Sequence, residues 1–194
     1  MQNLADIIEF PSNLLTLNDT ADGGGASTKG TISFDGVEEG IKEYNFTIQD
    51  MSGTKESYNV IVGSDDSSVS DTLFDSVLLD NDIFVGLLGN DTFEFIYEDD
   101  PITLGTNVIL DFNTTDDDLV LNFLTPSSLD IADYTEVIDS GVDLNDDNLN
   151  DIQVLVTIPP DGTGIGDFIF SGINYVDGDI ELADYAISAS IVTA

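Results

Sequence analysis

The chain has 194 residues, 41% of them apolar, which is enough for a real core in one domain or two small ones and too apolar for a disordered acidic tail. It carries 39 acids against three bases, a formal net charge of −36, with no His and no Cys. That balance argues against nucleic acid and anionic membranes as partners, no run of about 20 apolar residues is present to span a membrane, and the missing residue types exclude disulfides, thiolate or imidazole zinc sites, Ser-His-Asp triads and His general bases.

Clusters of Gly, Asn, Asp, Ser and Thr recur about every 8–15 residues with short β-rich runs between them, which predicts an all-β protein. In the region 1–64, Ile7-Ile8-Glu9-Phe10 and Leu14-Leu15-Thr16-Leu17 are predicted strands and 18–25 a turn or loop. Residues 31–34, 43–48 and 57–62 alternate with period two, broken at Asp35-Gly36 and Ser52-Gly53, and predict an antiparallel, sandwich-like part with one solvated face. All three bases, Lys29, Lys42 and Lys55, lie here, so the composition changes near Gly63-Ser64. A second region covers 65–125. The third, 126–194, is predicted to hold strands at Gln153–Ile158, Asp167–Phe170 and Ile187–Val192 and a short helix near Ser127–Tyr134. The opening residues 1–6 lack a basic segment, so no ordinary cleaved signal peptide is expected.

The second region contains a repeat. Residues 77–85 read Val-Leu-Leu-Asp-Asn-Asp-Ile-Phe-Val and residues 86–94 read Gly-Leu-Leu-Gly-Asn-Asp-Thr-Phe-Glu, two copies of one nonapeptide. Ser70-Asp71-Thr72-Leu73 reads as a degenerate earlier copy, slipped by about two residues. The repeat resembles the RTX nonapeptide, Gly-Gly-x-Gly-x-Asp followed two residues later by a large apolar side chain. The match falls on Gly86, Gly89, Asp91 and Phe93, and on Asp82 and Phe84 one copy earlier. Leu78 and Leu87 stand where the family has its second Gly, and Asp80 where Gly89 sits. Downstream, Val108-Ile109-Leu110-Asp111-Phe112 and Asp116-Asp117-Asp118-Leu119-Val120-Leu121 follow in an order similar to the C-terminal RTX regions of serralysin-like and other type I-secreted proteins.

The resemblance implies a short parallel β-roll over 65–125. In it each Gly permits the turn, each Asp closes on Ca2+ between stacked turns, and the apolar residue points inward. The metal-ligating positions so implied are Asp71, Asp80, Asp82, Gly89, Asp91, Asp111 and Asp117. Protease activity is not implied, because the zinc motif of serralysins requires His.

A second acidic loop spans Asp143 to Asp151. Asp143, Asn145, Asp147 and Asp151 fall at positions 1, 3, 5 and 9 of a calcium loop, and Leu149 at position 7 would ligate through its backbone carbonyl. Asn148 takes position 6, usually Gly, and tolerates the left-handed conformation. The EF-hand's position-12 Glu is replaced by Val154, and a strand follows, so the loop resembles the Asp-rich loops of β-proteins more than an EF-hand. The plain alternative is a solvated acidic hairpin. Asp177-Gly178-Asp179 reads as an ordinary tight turn, with a third calcium turn as the alternative, and the four Asn-x-Thr sequons as products of composition.

From Glu56 to Ala194 there are 30 acids and no base. Like charges in a folded body cost several kcal/mol in sum, so positive charge must come from outside, either from high salt or from bound divalent cations. The Asp spacings favour Ca2+ as the cofactor. Calcium that is scarce inside a cell and abundant outside would then act as a folding switch, with type I secretion and an extracellular or cell-surface location. No enzyme is expected, since only carboxylate-pair chemistry is left. The leading expectation is a structural protein whose partners are copies of itself in a layer, sheath or filament. The alternative is a calcium-dependent adhesin or carbohydrate-binding module for a cell-surface polysaccharide, for which Trp is absent and the six Tyr are scattered.

Overall fold

Runs of β-branched and aromatic residues, each ended by Gly, Asp or Asn, make the chain all-β in the computed structural model. Described are residues 55–64, 66–74, 81–97, 106–123, 129–145, 147–158 and 164–193, together with the backbone of five earlier strands. Those are β1 (Asp6–Glu9), β2 (Asn18–Asp19), β3 (Ala26–Ser27), β4 (Thr31–Phe34) and β5 (Lys42–Gln49). β1 pairs antiparallel with β4, and β2 with β3. The predicted strand at 14–17 lies outside the described residues.

The body is two sheets fed alternately by the chain. β6 (Lys55–Val62), β8 (Asn81–Val85), β10 (Thr106–Ile109) and β14 (Gly164–Asn174) lie parallel in one sheet. β7 (Thr72–Phe74), β9 (Thr92–Tyr97), β11 (Asp118–Phe123) and β15 (Ser188–Thr193) lie parallel in the other. The first sheet is extended at both edges by antiparallel hairpin strands: β5 beside β6, and β13 (Asp151–Ile158) then β12 (Thr135–Asp139) beside β14. Two nonapeptides would advance the chain by about 18 residues per coil. Here Val60 is level with Ile83 and Ile83 with Val108, so the coils are longer than the repeat alone implies.

Alternation explains the core. Ile61, Phe84, Ile109, Phe170 and Ile152 form one register row on the inward face of the seven-stranded sheet. Leu73, Phe93, Leu119 and Ala189 form the facing row. All but Ala189 are at most 5% exposed. The Phe84 ring meets Phe93 edge-on at 6.3 Å and Phe95 at 5.1 Å, so the two copies of the repeat pack against each other across the sheets. Contacts of this kind add about 0.5–1.5 kcal/mol each beyond area burial. The opposite face of β6 is not solvated as its alternation predicts. Val60 and Val62 are buried along with Ile61, because β6 is an interior strand of a parallel sheet with both faces covered. The predicted helix near 127–134 is a single 3-10 turn, Ile131–Asp133, capped by the Asp130 carboxylate accepting from the Ala132 N–H.

The turns leading from the first sheet to the second stack closely. A side chain at Gly89 (φ +150°) would lie 2.3 Å from the Val69 carbonyl oxygen of the preceding turn. Gly141 (φ +72°) has nothing within 4 Å. Gly141→Ala is therefore expected to cost only the backbone term, about 1 kcal/mol. Gly89→Ala should cost more than about 2 kcal/mol, since overpacking adds to strain. Urea denaturation of the two variants checks this, and equal losses would contradict the stacked-turn packing.

Candidate metal centre

Two acidic sites emerge, and they are built differently. The first is the stack of turns before β7, β9 and β11. Asp71, Asp91 and Asp117 occupy equivalent places one residue ahead of the register Thr72, Thr92, Asp118, and are 7%, 2% and 5% exposed. Each carboxylate reaches the backbone of the turn before it or of its own turn. Asp91 accepts from the Asp71 N–H at 3.0 Å, and Asp117 from the Asp91 N–H and the Asn113 N–H, both at 2.8 Å. Asp71 accepts from the Ser64 N–H at 2.5 Å. Asp111 accepts from the Gly86 and Leu87 N–H groups, each at 2.8 Å. Leu87 sits at φ +70°, a left-handed conformation uncommon for a residue other than Gly.

The stack thus joins Asp71, Asp91, Asp111, Asp117 and Gly89. It does not include Asp82, which lies within β8, fully buried on the Phe84 face, with its N–H donating to the Asn107 side chain at 3.2 Å. Asp80 lies outside the described residues.

The second site is the connection between β12 and β13. The backbone closes it through the Asp151 N–H to the Val142 carbonyl at 2.8 Å. Asp143 accepts from the Asp147 N–H at 3.1 Å and the Asn148 N–H at 2.8 Å, and Asn148 takes φ +71°. Asp147 accepts from the Leu149 N–H, and from the side-chain amides of Asn145 and Asn174. Asp151 is fully buried and accepts from the Leu144 and Gly172 N–H groups, both at 2.7 Å. Burial raises its pKa above the ordinary value, with repulsion from Asp143 and Asp147 adding to the shift. Hydrogen bonding, first from the Asn174 amide, lowers that of Asp147.

This geometry links four of the loop positions expected from sequence by hydrogen bonds, Asp143, Asn145, Asp147 and Leu149, and ties Asp151 to the loop through the Leu144 N–H. It adds Asp139, which accepts from the Gly141 N–H and the Asn150 amide, and Gly172 and Asn174 from β14. β14 reaches the loop because it bulges where its register with β13 breaks between Asp151 and Ile152, a feature with no local sequence signal beyond Gly172 (φ +81°). Asp177-Gly178-Asp179 is an exposed bend.

Every donor at the loop is a hard oxygen, the chemistry Ca2+ selects. The Asn174 Oδ1 atom is buried with no hydrogen-bond partner, on the same side chain whose amide donates to Asp147. A buried acceptor left unpaired costs about 1–3 kcal/mol, a cost that a cation at the loop would relieve. Backbone N–H groups already occupy carboxylate oxygens in the turn stack and in the loop alike. Among the described residues no group of three or more acidic side chains is placed so that it could hold a metal ion. No family model, no curated protein and no solved structure matches the chain.

Burial holds Asp91 well above the ordinary carboxylate value of 3.8, at about 6; the Asp71 N–H opposes this, and Asp117, Asp71 and Asp111 reinforce it by repulsion. A folded value above the unfolded one gives stabilisation that is complete below 3.8 and lost as pH rises through about 6. Without divalent cations, the urea midpoint is expected to fall as pH rises from about 4 to about 6. Asp91→Asn keeps the oxygen facing the Asp71 N–H and should flatten that fall. An unchanged slope in the variant would show that the buried ladder is not its source.

Proposed function

We propose that the chain is a calcium-binding structural protein of the cell exterior that folds on calcium and associates with further copies of itself. The observation that carries this reading is the loop 143–151. Its first Asp is tied to the N–H groups of positions 5 and 6, and its sixth residue takes a left-handed conformation. Its ninth residue is a fully buried carboxylate. Asp143, Asp147, Asp151, the Asn145 amide oxygen and the Leu149 carbonyl would hold the ion, and the ion would supply the positive charge that those carboxylates lack.

The longer stack of turns supports a second part of the reading. Two parallel sheets fed alternately, with Gly86, Gly89 and Asp91 in the turn, suit a short calcium-responsive β-roll of the RTX kind. The carboxylates of the turn stack and of the loop accept from backbone N–H groups and side-chain amides. Compensation from outside the polypeptide is consistent with secretion of a loose chain that folds where calcium is abundant. Extracellular modules bind it at about 10⁻⁴–10⁻³ M.

Each site that binds only the folded state stabilises it by about 2.7 kcal/mol when calcium is a hundredfold above its dissociation constant. Thermal unfolding with and without millimolar calcium tests this in the wild type and in Asn145→Ala and Asp147→Ala, two exposed positions. The variants are expected to unfold near the wild-type temperature in chelator and to lose most of the shift produced by calcium. A full calcium shift in both variants would remove the loop from the account, and no shift in the wild type would remove calcium.

A further inference from the structure

We propose that Asn174, on β14 and outside the loop 143–151, is a ligand of the loop's calcium ion through its side-chain oxygen. On the calcium reading given above, on which this depends, the ion would clasp the loop to the sheet instead of sitting in the hairpin connection alone.

The loop by itself is short of oxygens. Ca2+ takes about 6–8 of them, and Asp143, Asn145, Asp147, the Leu149 carbonyl and Asp151 are five groups. In an EF-hand the Glu at position 12 makes up the number. Here that position is Val154, fully buried in the apolar core. A further protein oxygen has to come from another part of the chain. Asp139 is turned to the Gly141 N–H and the Asn150 amide. Asn174 stands opposite Asp151 in the ladder, and the backbone on either side of it is pinned to the loop. The Gly172 N–H donates to Asp151 at 2.7 Å, and the Tyr175 N–H to the Asn150 carbonyl at 2.8 Å.

The two ends of the Asn174 amide are in different situations. Its Nδ2 donates to Asp147 Oδ2 at 2.9 Å, the same oxygen that the Asn145 amide reaches at 3.1 Å. Two N–H groups thus converge on one carboxylate oxygen of the loop, supplying in part the positive charge that an ion would bring. The Asn174 Oδ1 atom, next to that Nδ2 on the same amide, is buried and accepts from nothing among the described residues. An acceptor in that position is costly unless something electropositive meets it, and a hard cation held by the neighbouring carboxylate would do so. The acids as placed do not by themselves surround an ion, so binding has to draw the loop onto a fixed point. β14, paired in the sheet with both β10 and β13, supplies that point.

Calcium chloride titrations of the full chain test this, by calorimetry and by the side-chain Cγ resonances of Asn145 and Asn174 in carbon-13 spectra. Asn145→Ala marks the part of the heat that belongs to the loop, and each resonance is assigned by its loss in the Ala variant. Both resonances are expected to move together as the loop fills. Asn174→Ala should weaken the loop's calcium binding by about tenfold or more. Asn174→Asp supplies an oxygen without the N–H donors and should bind at least as tightly as the wild type. It should also melt at a lower temperature than the wild type in chelator, because it sets a second carboxylate beside Asp147. If the Asn145 resonance moves and that of Asn174 does not, or if Asn174→Ala binds as the wild type does, the loop stands as a calcium site and Asn174 is not its ligand. If Asn174→Asp binds as poorly as Asn174→Ala, the N–H contact with Asp147 is what matters and ligation by the oxygen is overturned. If neither resonance moves and the wild type takes up no calcium, the loop reading itself fails, and this ligand with it.

Discussion

A chain with 39 acids and three bases must hold its carboxylates without cationic side chains, and the architecture follows from how it does so. Apart from Asp82 within β8, the buried acids are placed at turns or at the start of a strand, where the backbone has N–H groups to spare. Asp71, Asp91 and Asp117 sit one above another, each tied to a main-chain donor. Asp151 does the same at the base of the second loop. A hydrogen bond to a charged group contributes about 1.5–3 kcal/mol, which offsets part of the desolvation cost but leaves the charge itself in place. Burial and repulsion together leave Asp91 and Asp151 with raised pKa values. That residual strain is what an external cation would relieve.

The same turns define the fold. Because the Asp91 and Asp117 carboxylates reach into the preceding turn, the coils cannot slip relative to one another without losing those bonds. Close approach of the backbone at Gly63, where an added side chain would lie 2.4 Å from the Gly86 carbonyl oxygen, sets the spacing of successive turns. The apolar rows between the sheets then provide most of the stabilisation. Phe84, Phe93, Phe95, Phe123, Phe168 and Phe170 are each below 2% exposed. Burying a side chain of this size is worth about 1.5–3 kcal/mol. Repulsion among surface acids is thus set against a dense aromatic interior.

Much of the local chemistry could be read directly from the residues. The Gly-x-x-Gly-x-Asp spacing at 86–91 encodes a tight turn with a capping carboxylate. The slipped copy at Asp71-Thr72-Leu73 falls in register with Asp91-Thr92-Phe93. The loop 143–151 keeps its expected positive φ at Asn148. What escaped was the long-range pairing. β14 joins β10 after a hairpin of two further strands has intervened, and nothing local announces a parallel partner more than fifty residues away. Period-two alternation at 57–62 suggested one wet face, yet an interior parallel strand buries both. The role of Asn174 depends on a bulge opposite Asp151, and Asp82 carries the repeat's Asp into the strand rather than the turn.

External positive charge could act as a diffuse atmosphere or as ions held at particular oxygens, and the account requires the second. Screening by monovalent salt depends only on ionic strength, with a Debye length near 10 Å at about 0.1 M, whereas a site discriminates between ions. The most direct measurement is far-ultraviolet circular dichroism with near-ultraviolet aromatic signals on the chelated chain. It is titrated with calcium chloride and, separately, with sodium chloride and magnesium chloride at matched ionic strength. The account predicts a cooperative gain of β-structure at low-millimolar calcium that neither other salt reproduces at the same ionic strength. Equal responses to calcium and sodium would contradict it, and would leave bulk salt as the counter-charge for this acidic fold.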